Sequence, residues 1–202
     1  MPMNDNFLNF YNKDLVLASR SPRRREILKM VGLEFNIAPS NYKETFDDQK
    51  SPVELARYHA FMKSKKVARN FDNSWILGAD TIVVLDNEIL EKPEDQEDAF
   101  NMLNKLSGRT HKVITGFTIM NSSNGEHLSS ATSTNVTFNE LSPEMINYYL
   151  DNYNYRDKAG SYAIQDFSAV FVKKLNGCFY NVVGFPISDF CNLVRNSLVS
   201  CL

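Results

Sequence analysis

The chain reads as a mixed α/β protein: a long twisted β-sheet of mixed strand direction with helices on its faces. Two patterns lead there. Short apolar, β-branched runs alternate with amphipathic stretches that carry helix start signals, and hairpin turns interrupt that alternation, so antiparallel pairs must join parallel ones. With 202 residues the chain can form one sizeable core, here expected as two lobes around a central cleft. The expected division is a short N-terminal extension over residues 1–13 and a single domain over 14–202.

Asp14 to Ser19 reads as a short buried strand, after which Ser21-Pro22 opens a helix with Ser as N-cap and Pro at the first helical position. Ile27, Leu28 and Val31 form its apolar face, Gly32 stops it, and Glu34 to Ala38 alternates weakly like a second strand. A polar loop from Pro39 to Lys50 leads to Ser51-Pro52-Val53-Glu54, a capping box that starts a helix to about Arg69. Trp75 to Leu85 is the strongest strand, and the turn Asp86-Asn87 returns it through Glu88 to Leu90. Pro93 is expected to start a third helix with Glu94, Asp95, Glu97 and Asp98 in its first turn, Ala99, Met102, Leu103 and Leu106 on its core face, and Gly108 at its end. Lys112 to Met120 and Leu128 to Phe138 flank the turn residues Asn121 to Gly125 as a long hairpin. A helix from Pro143 to about Asp151, a strand pair around Ala169 to Val183 turning at Asn176-Gly177, and a helix from Pro186 complete the chain.

Composition removes several classes of function. Apolar residues make up 43% and charged residues 23%, and 14 Phe with 9 Tyr supply a core, so the chain folds rather than staying disordered. A net charge of −2 gives no overall positive field for nucleic acid or acidic membranes, so anion binding must be local. The polar stretch Met1 to Asp14 lacks the form of a secretion signal, and Trp75 to Leu85, broken by Asp80, is too short to span a bilayer; a cytoplasmic protein is expected. Cys178, Cys191 and Cys201 form no CxxC pair, and His59, His111 and His127 show no metal-ligand spacing.

Three features carry chemistry. Ser19-Arg20-Ser21-Pro22-Arg23-Arg24-Arg25 gathers hydroxyls and guanidinium groups at a strand-to-helix turn, where free N–H groups favour an anion such as a triphosphate. The bland alternative is a solvated basic first turn, though positive side chains there oppose the helix dipole. Asp80, in Gly78-Ala79-Asp80-Thr81, lies mid-strand among apolar residues and must be paired, be coordinating, or satisfy backbone N–H groups at a bulge marked by Gly78. Lys63 falls in the small-residue stripe Ala56, Ala60, Val67 of its helix, where it either points inward or snorkels to water. Lys92 reads equally as a loop lysine, and Glu44 carries no signal of its own. Carboxylates, lysines and an Arg/Ser turn, without a nucleophilic Cys or a catalytic triad, suit polyphosphate hydrolysis better than acyl transfer.

Several segments, in order, resemble the Maf family of nucleotide pyrophosphatases from Leu15 to about Asp189: Leu17-Ala18-Ser19-x-Ser21-Pro22-Arg23-Arg24, Gly78-Ala79-Asp80-Thr81, Glu91-Lys92-Pro93, Leu106 to His111, Asp157 to Gln165, and Gly184-Phe185-Pro186-Ile187. The resemblance implies a Maf/ITPase-like fold with a cleft, a divalent cation (Mg²⁺ or Mn²⁺), a nucleoside triphosphate substrate, and an often dimeric cytoplasmic enzyme. It implies that Asp80 is the general base close to the metal and Glu44 a second metal-site acid. By the same resemblance Lys63 and Lys92 contact phosphates, Ser19 and Arg24 belong to the anion-binding turn, and Arg23, Thr81 and Gln165 select the base. Pro-Arg-Arg, Ala-Asp-Thr and Tyr-Ala-Ile-Gln look like the dTTP/UTP branch rather than the branch for methylated GTP, which shows Trp, Gln and Glu at the corresponding positions. Asp166 departs from the family's usual Gly, which would place a side chain and a charge in a loop suited to left-handed backbone. A rival reading is a non-catalytic regulator of septum formation, against which the charge balance argues.

Overall fold

The computed structural model describes residues 14–45, 47 and 49–199; the expected N-terminal extension and Cys201 lie outside the described residues. One sheet organises the molecule. Its strands are β1 (Leu15–Leu17), β2 (Asn36–Ile37), β3 (Trp75–Leu85), β4 (Glu88–Leu90), β5 (Thr110–Asn121), β6 (His127–Phe138) and β7 (Val172–Asn176). They run in the order β2-β1-β3-β5-β6-β7, with β4 also paired to β3. β1 pairs parallel with β2 and β3, and every other pairing is antiparallel, which gives the expected mixed sheet.

The register opens a gap where the site will be. β5 runs along one edge of β3 from Trp75 to Val84, while the other edge is shared by β1, opposite residues 75–77, and β4, opposite residues 83–85. Residues 78–82 therefore have no strand on that second edge among the described residues. Asp80 and Thr81 occupy this gap. Consecutive strand residues point to opposite faces, so the two side chains reach elements on opposite sides of the sheet.

Helices α1 (Pro22–Met30), α2 (Pro52–Ala68), α3 (Gln96–Leu106), α4 (Pro143–Asn152), α5 (Phe179–Val183) and α6 (Ile187–Val199) pack around the sheet. Ser21 caps α1 by accepting from Arg24 N–H, and Ser51 with Glu54 forms the capping box of α2, each helix having Pro in its first turn. α2 lies against the sheet with almost nothing between. A Cβ at Gly78 would come within 2.4 Å of Ala60 O and Ser64 Oγ, and one at Gly116 within 2.3 Å of Ala56 O. Gly78 thus admits a helix backbone; it marks no bulge, since β3 pairs with β5 in continuous register through Gly78 and Asp80. Two cores flank the cleft. Leu17, Leu28, Leu77, Phe117, Phe185 and Phe190 fill one, under α1 and α6. Leu103, Leu106, Phe138, Ile146, Tyr149 and Phe171 fill the other, under α3 and α4.

Three boundaries depart from expectation. α3 begins at Gln96 instead of Pro93, because Asp95 is the N-cap and its side chain accepts from Asp98 N–H at 2.8 Å. The strand expected over Glu34 to Ala38 shrinks to Asn36–Ile37, both exposed at the sheet edge. The strand pair expected over Ala169 to Val183 is absent: Phe167–Phe171 is a 3₁₀ turn, β7 pairs with β6, and Phe179–Val183 is helical. An apolar run this short does not distinguish strand from helix by itself. Here Asn181 decides, buried on the sheet with its amide donating to Val113 O and Thr134 Oγ1, both at 2.9 Å.

Candidate active site

A cavity of about 620 Å³ opens at the gap in β3. All nine residues singled out from the sequence line it: Ser19, Arg23, Arg24, Glu44, Lys63, Asp80, Thr81, Lys92 and Gln165. The volume lies within the roughly 300–1,000 Å³ usual for small-molecule sites.

On the α2 face of the sheet, Lys63 Nζ sits between two carboxylates, 2.6 Å from Asp80 Oδ1 and 2.5 Å from Glu44 Oε1. Of the two placements open from the sequence, the ammonium takes the inward one and does not snorkel to water, because two carboxylates meet it there. Burial pushes the Glu44 carboxyl up, but the charge and hydrogen bond of Lys63, with Lys92 and His59 adding, hold it below the ordinary glutamate value. Asp80 is buried, and its second oxygen, Oδ2, has no hydrogen-bond partner among the described residues. A buried carboxylate oxygen left bare is costly unless something else meets it. Glu44 arrives on the loop before α2, and that loop is fastened by the same helix face: His59 Nδ1 shares a hydrogen bond with the Tyr42 hydroxyl at 3.1 Å, and Lys66 Nζ donates to Asn41 O at 2.7 Å.

On the opposite face, Arg24 is buried, with Nε donating to Gly184 O at 2.9 Å, Nη1 to Ser19 Oγ at 3.2 Å and Nη2 to Thr81 Oγ1 at 3.0 Å. Burial lowers its pKa against the opposing pull of Asp80, but a guanidinium stays charged at neutral pH. The arginine run therefore splits. Arg24 ties the strand-to-helix turn to β3 and to the segment before α6, Arg20 donates to Asn41, and Arg23 crosses the cavity mouth to Asp157 at 3.2 Å. The Arg24 bonds are three of the five that a guanidinium can donate, and Arg24 makes no further one among the described residues.

The wall facing Arg23 is the segment from Asp157 to Ser168. Gln165 is exposed there, as is Lys92 at the rim beyond β4. Asp166 has φ −111° and ψ −159°, extended backbone, so the position does not need the left-handed region that a Gly would open. Its carboxylate caps the following turn, accepting from Ser168 N–H at 2.9 Å, with Ser168 Oγ 2.8 Å away. Lys158, itself buried, stands 4.0 Å from Asp166 Oδ2 and 3.3 Å from Asp157 Oδ1, offsetting both charges. Tyr42, Asp157, Lys158 and Tyr162 also line the cavity; residue by residue the sequence marks none of them, and the one signal it holds for this wall is the Asp157-Lys158 pair.

The donor set suits a hard divalent cation only with help from a ligand. No group of three or more His, Cys, Asp or Glu that could hold a metal occurs among the described residues. Asp80, with its bare Oδ2, and Glu44 offer two carboxylates, and Mg²⁺ is commonly held by one or two carboxylates plus substrate phosphates.

A family profile described as "Maf-like protein" matches residues 14–197. The chain belongs to the Maf family. Among its Maf relatives, the dTTP/UTP pyrophosphatase of Ruminiclostridium cellulolyticum is 43% identical over 91% of this chain and 95% of that protein. The dTTP/UTP pyrophosphatase of Pyrococcus furiosus is 43% identical over the same shares, and that of Thermotoga maritima 44% identical over 86% of this chain and 84% of its own. A nucleoside-triphosphatase, a dITP/XTP pyrophosphatase from Mycobacterium abscessus, overlaps this Maf chain at a TM-score of only 0.41 and 16% identity, over 62% of this chain and 74% of that one. No helix among the described residues is long and apolar enough to cross a membrane.

Proposed function

We propose that this Maf protein is a nucleoside triphosphate pyrophosphatase that hydrolyses dTTP and UTP to the monophosphate and pyrophosphate. The observation that carries this reading is Asp80: a buried carboxylate held on one side by Lys63, bare on the other, at the floor of a cavity ringed by cationic side chains. The names of the relatives supply the choice of nucleotide.

In this reading Lys63 fixes Asp80 through Oδ1, and Oδ2 takes a proton from a water molecule aimed at the α-phosphorus. A new bond forms from the water oxygen to that phosphorus, the bond to the bridging oxygen breaks, and pyrophosphate leaves with the electron pair. Lys92 and the two remaining N–H groups of Arg24 face the departing charge. Asp80 and Glu44 are the residues that would hold Mg²⁺ or Mn²⁺, which when bound neutralises phosphate oxygens. Gln165 reads the base: its NH₂ donates to O4 of uracil or thymine while its C=O accepts from N3–H, with Arg23 and Thr81 assisting. The same reading takes the protein as cytoplasmic and as a homodimer of the 23.1 kDa chain, the latter open to light scattering.

A panel of canonical, modified and methylated nucleotides, assayed for pyrophosphate, tests the proposal. Equal amounts of monophosphate and pyrophosphate from dTTP and UTP are expected, lost in excess EDTA and restored by Mg²⁺ or Mn²⁺. Diphosphate with inorganic phosphate as the main products would refute attack at the α-phosphorus. Faster turnover of methylated GTP would move the substrate, and turnover of nothing would leave a binding protein.

A further inference from the structure

Two of the segments that mark the family, Leu106 to His111 and Asp157 to Gln165, are joined at one buried point. His111, at the start of β5, lies edge-on to Phe138 and Tyr162, with ring centroids 4.9 and 5.4 Å away. Its Nε2 is 2.7 Å from the Tyr162 hydroxyl. Only 1% of His111 and 6% of Tyr162 is exposed. The other ring nitrogen, Nδ1, is buried with no hydrogen-bond partner among the described residues. Neither neutral tautomer repairs this, because a hydrogen bond at Nε2 leaves either a donor or a lone pair unmet at Nδ1. A leucine or phenylalanine would fill the space without that penalty, so packing does not account for the histidine.

What the bond holds is the middle of the cavity's loop wall. Upstream, Gly160 N–H donates to Glu91 O at 3.1 Å, beside Lys92, and Gly160 has φ +66° with Val83 3.1 Å from where a Cβ would stand. Downstream, Ser168 Oγ accepts from Ala163 N–H at 3.1 Å and donates to Ala163 O at 2.6 Å. Between these fastenings, Tyr162 reaches down to β5 with its hydroxyl while it and Gln165 line the cavity.

We infer that His111 is a positioning residue for base recognition: through the Tyr162 hydroxyl it fixes the backbone from which Gln165 meets the pyrimidine. The inference rests on the proposed dTTP/UTP activity. Loosening the bond lets Gln165 drift while Asp80, Lys63 and Glu44, held by other elements, stay in place.

Tyr162→Phe tests this with little change of volume. Expected are a rise of roughly fivefold in KM for UTP and dTTP, kcat within about twofold of wild type, and a fall in the ratio of kcat/KM for UTP over CTP. His111→Leu should behave alike, and the double variant should be no worse than the poorer single one, as for two residues acting through one bond. Thermal unfolding reports separately on stability, and Tyr162→Phe keeps the test readable should His111→Leu not fold. A Tyr162→Phe protein with lowered Tm but unchanged KM and unchanged base ratio would show the bond to be structural only and overturn the inference. Wild-type protein inert to UTP and dTTP would instead remove the proposed function and this inference together.

Discussion

The cavity has two walls of different construction. One is built by the turn after β1, by β3 and by α2, with Glu44 from the loop before α2: its side chains hold one another, Arg24 bonding Ser19, Thr81 and Gly184, and Lys63 bridging Asp80 and Glu44. The other, Asp157 to Ser168, is a loop with a short 3₁₀ piece at Ala159–Ser161 and the start of another at Phe167, and Gln165 is fastened through backbone and hydroxyl bonds and the Asp166 carboxylate on either side of it. Fixed dipoles and charges suit a place where charge develops during reaction, because they need no rearrangement at that moment. A loop suits recognition, since its tip can differ without disturbing the scaffold. On the proposed function, the chemistry falls to the first wall, and reading of the base falls to Gln165 on the second with help from Arg23 and Thr81 on the first.

The largest effect should come from the first wall. Asp80→Asn keeps size but removes charge and basicity, and kcat should fall at least ~10²-fold with the fold retained. Near-wild-type turnover in a folded Asp80→Asn protein would pass the role to Glu44 or another acid and break the comparison at its strongest point.

Acid should act beneath the second wall. Burial pushes His111 down to about 4 from an ordinary 6.5. The folded state therefore binds fewer protons than the unfolded one between those values, and stability rises with pH across that window. Lowering the pH from 7 to 5 should remove about 2 kcal/mol through this group, measured by urea unfolding. His111→Leu should flatten that part of the profile; an equally steep profile in that variant would place the acid sensitivity elsewhere.

Gln165→Glu cannot donate to O4 when ionised, and kcat/KM for dTTP and UTP should drop about tenfold while a poor substrate is little affected. Equal losses on every nucleotide would show that this residue does not read the base. The smallest effect concerns the contact between the walls. Arg23 and Asp157 meet near the surface, with side chains 20% and 45% exposed, so Asp157→Asn should cost at most about 1 kcal/mol by thermal unfolding. A larger loss would mean that the two walls depend on each other.

The first wall was legible in sequence because it breaks local rules. A carboxylate in an apolar strand and a lysine in an alanine stripe are each costly alone and in the structure compensate each other, while of the arginines at the helix N-terminus Arg24 is taken up by Ser19, Thr81 and Gly184 and Arg23 by Asp157. Strands and helices followed from period and caps, down to β3 and β4 at their stated ends. The second wall breaks no such rule. Gln165 and Lys92 are ordinary exposed residues whose interest came from resemblance alone, and Asp166 looked like a liability until its backbone proved extended and its carboxylate a cap. The helix at Phe179–Val183 was misread for a related reason: its decisive residue, Asn181, gains meaning only from Val113 and Thr134, far away in the chain.

The missing side chains at Gly78 and Gly116 act as a spacing gauge for the Lys63–Asp80 pair. Where α2 crosses β3 and β5, helix main chain at Ala56 and Ala60 rests close on the strands at Gly116 and Gly78, with the Ser64 hydroxyl beside the second contact. The span between Lys63 and Asp80 is thereby referenced to covalent backbone geometry, the stiffest ruler a protein has. A methyl at either glycine would meet α2 within 2.4 Å, so the contact must give, and Lys63, the His59 bond to Tyr42 and the Lys66 bond to Asn41 all ride on that helix. Such a change should be felt less as a local clash than as a loss of calibration, with Glu44 and Asp80 no longer sharing one ammonium.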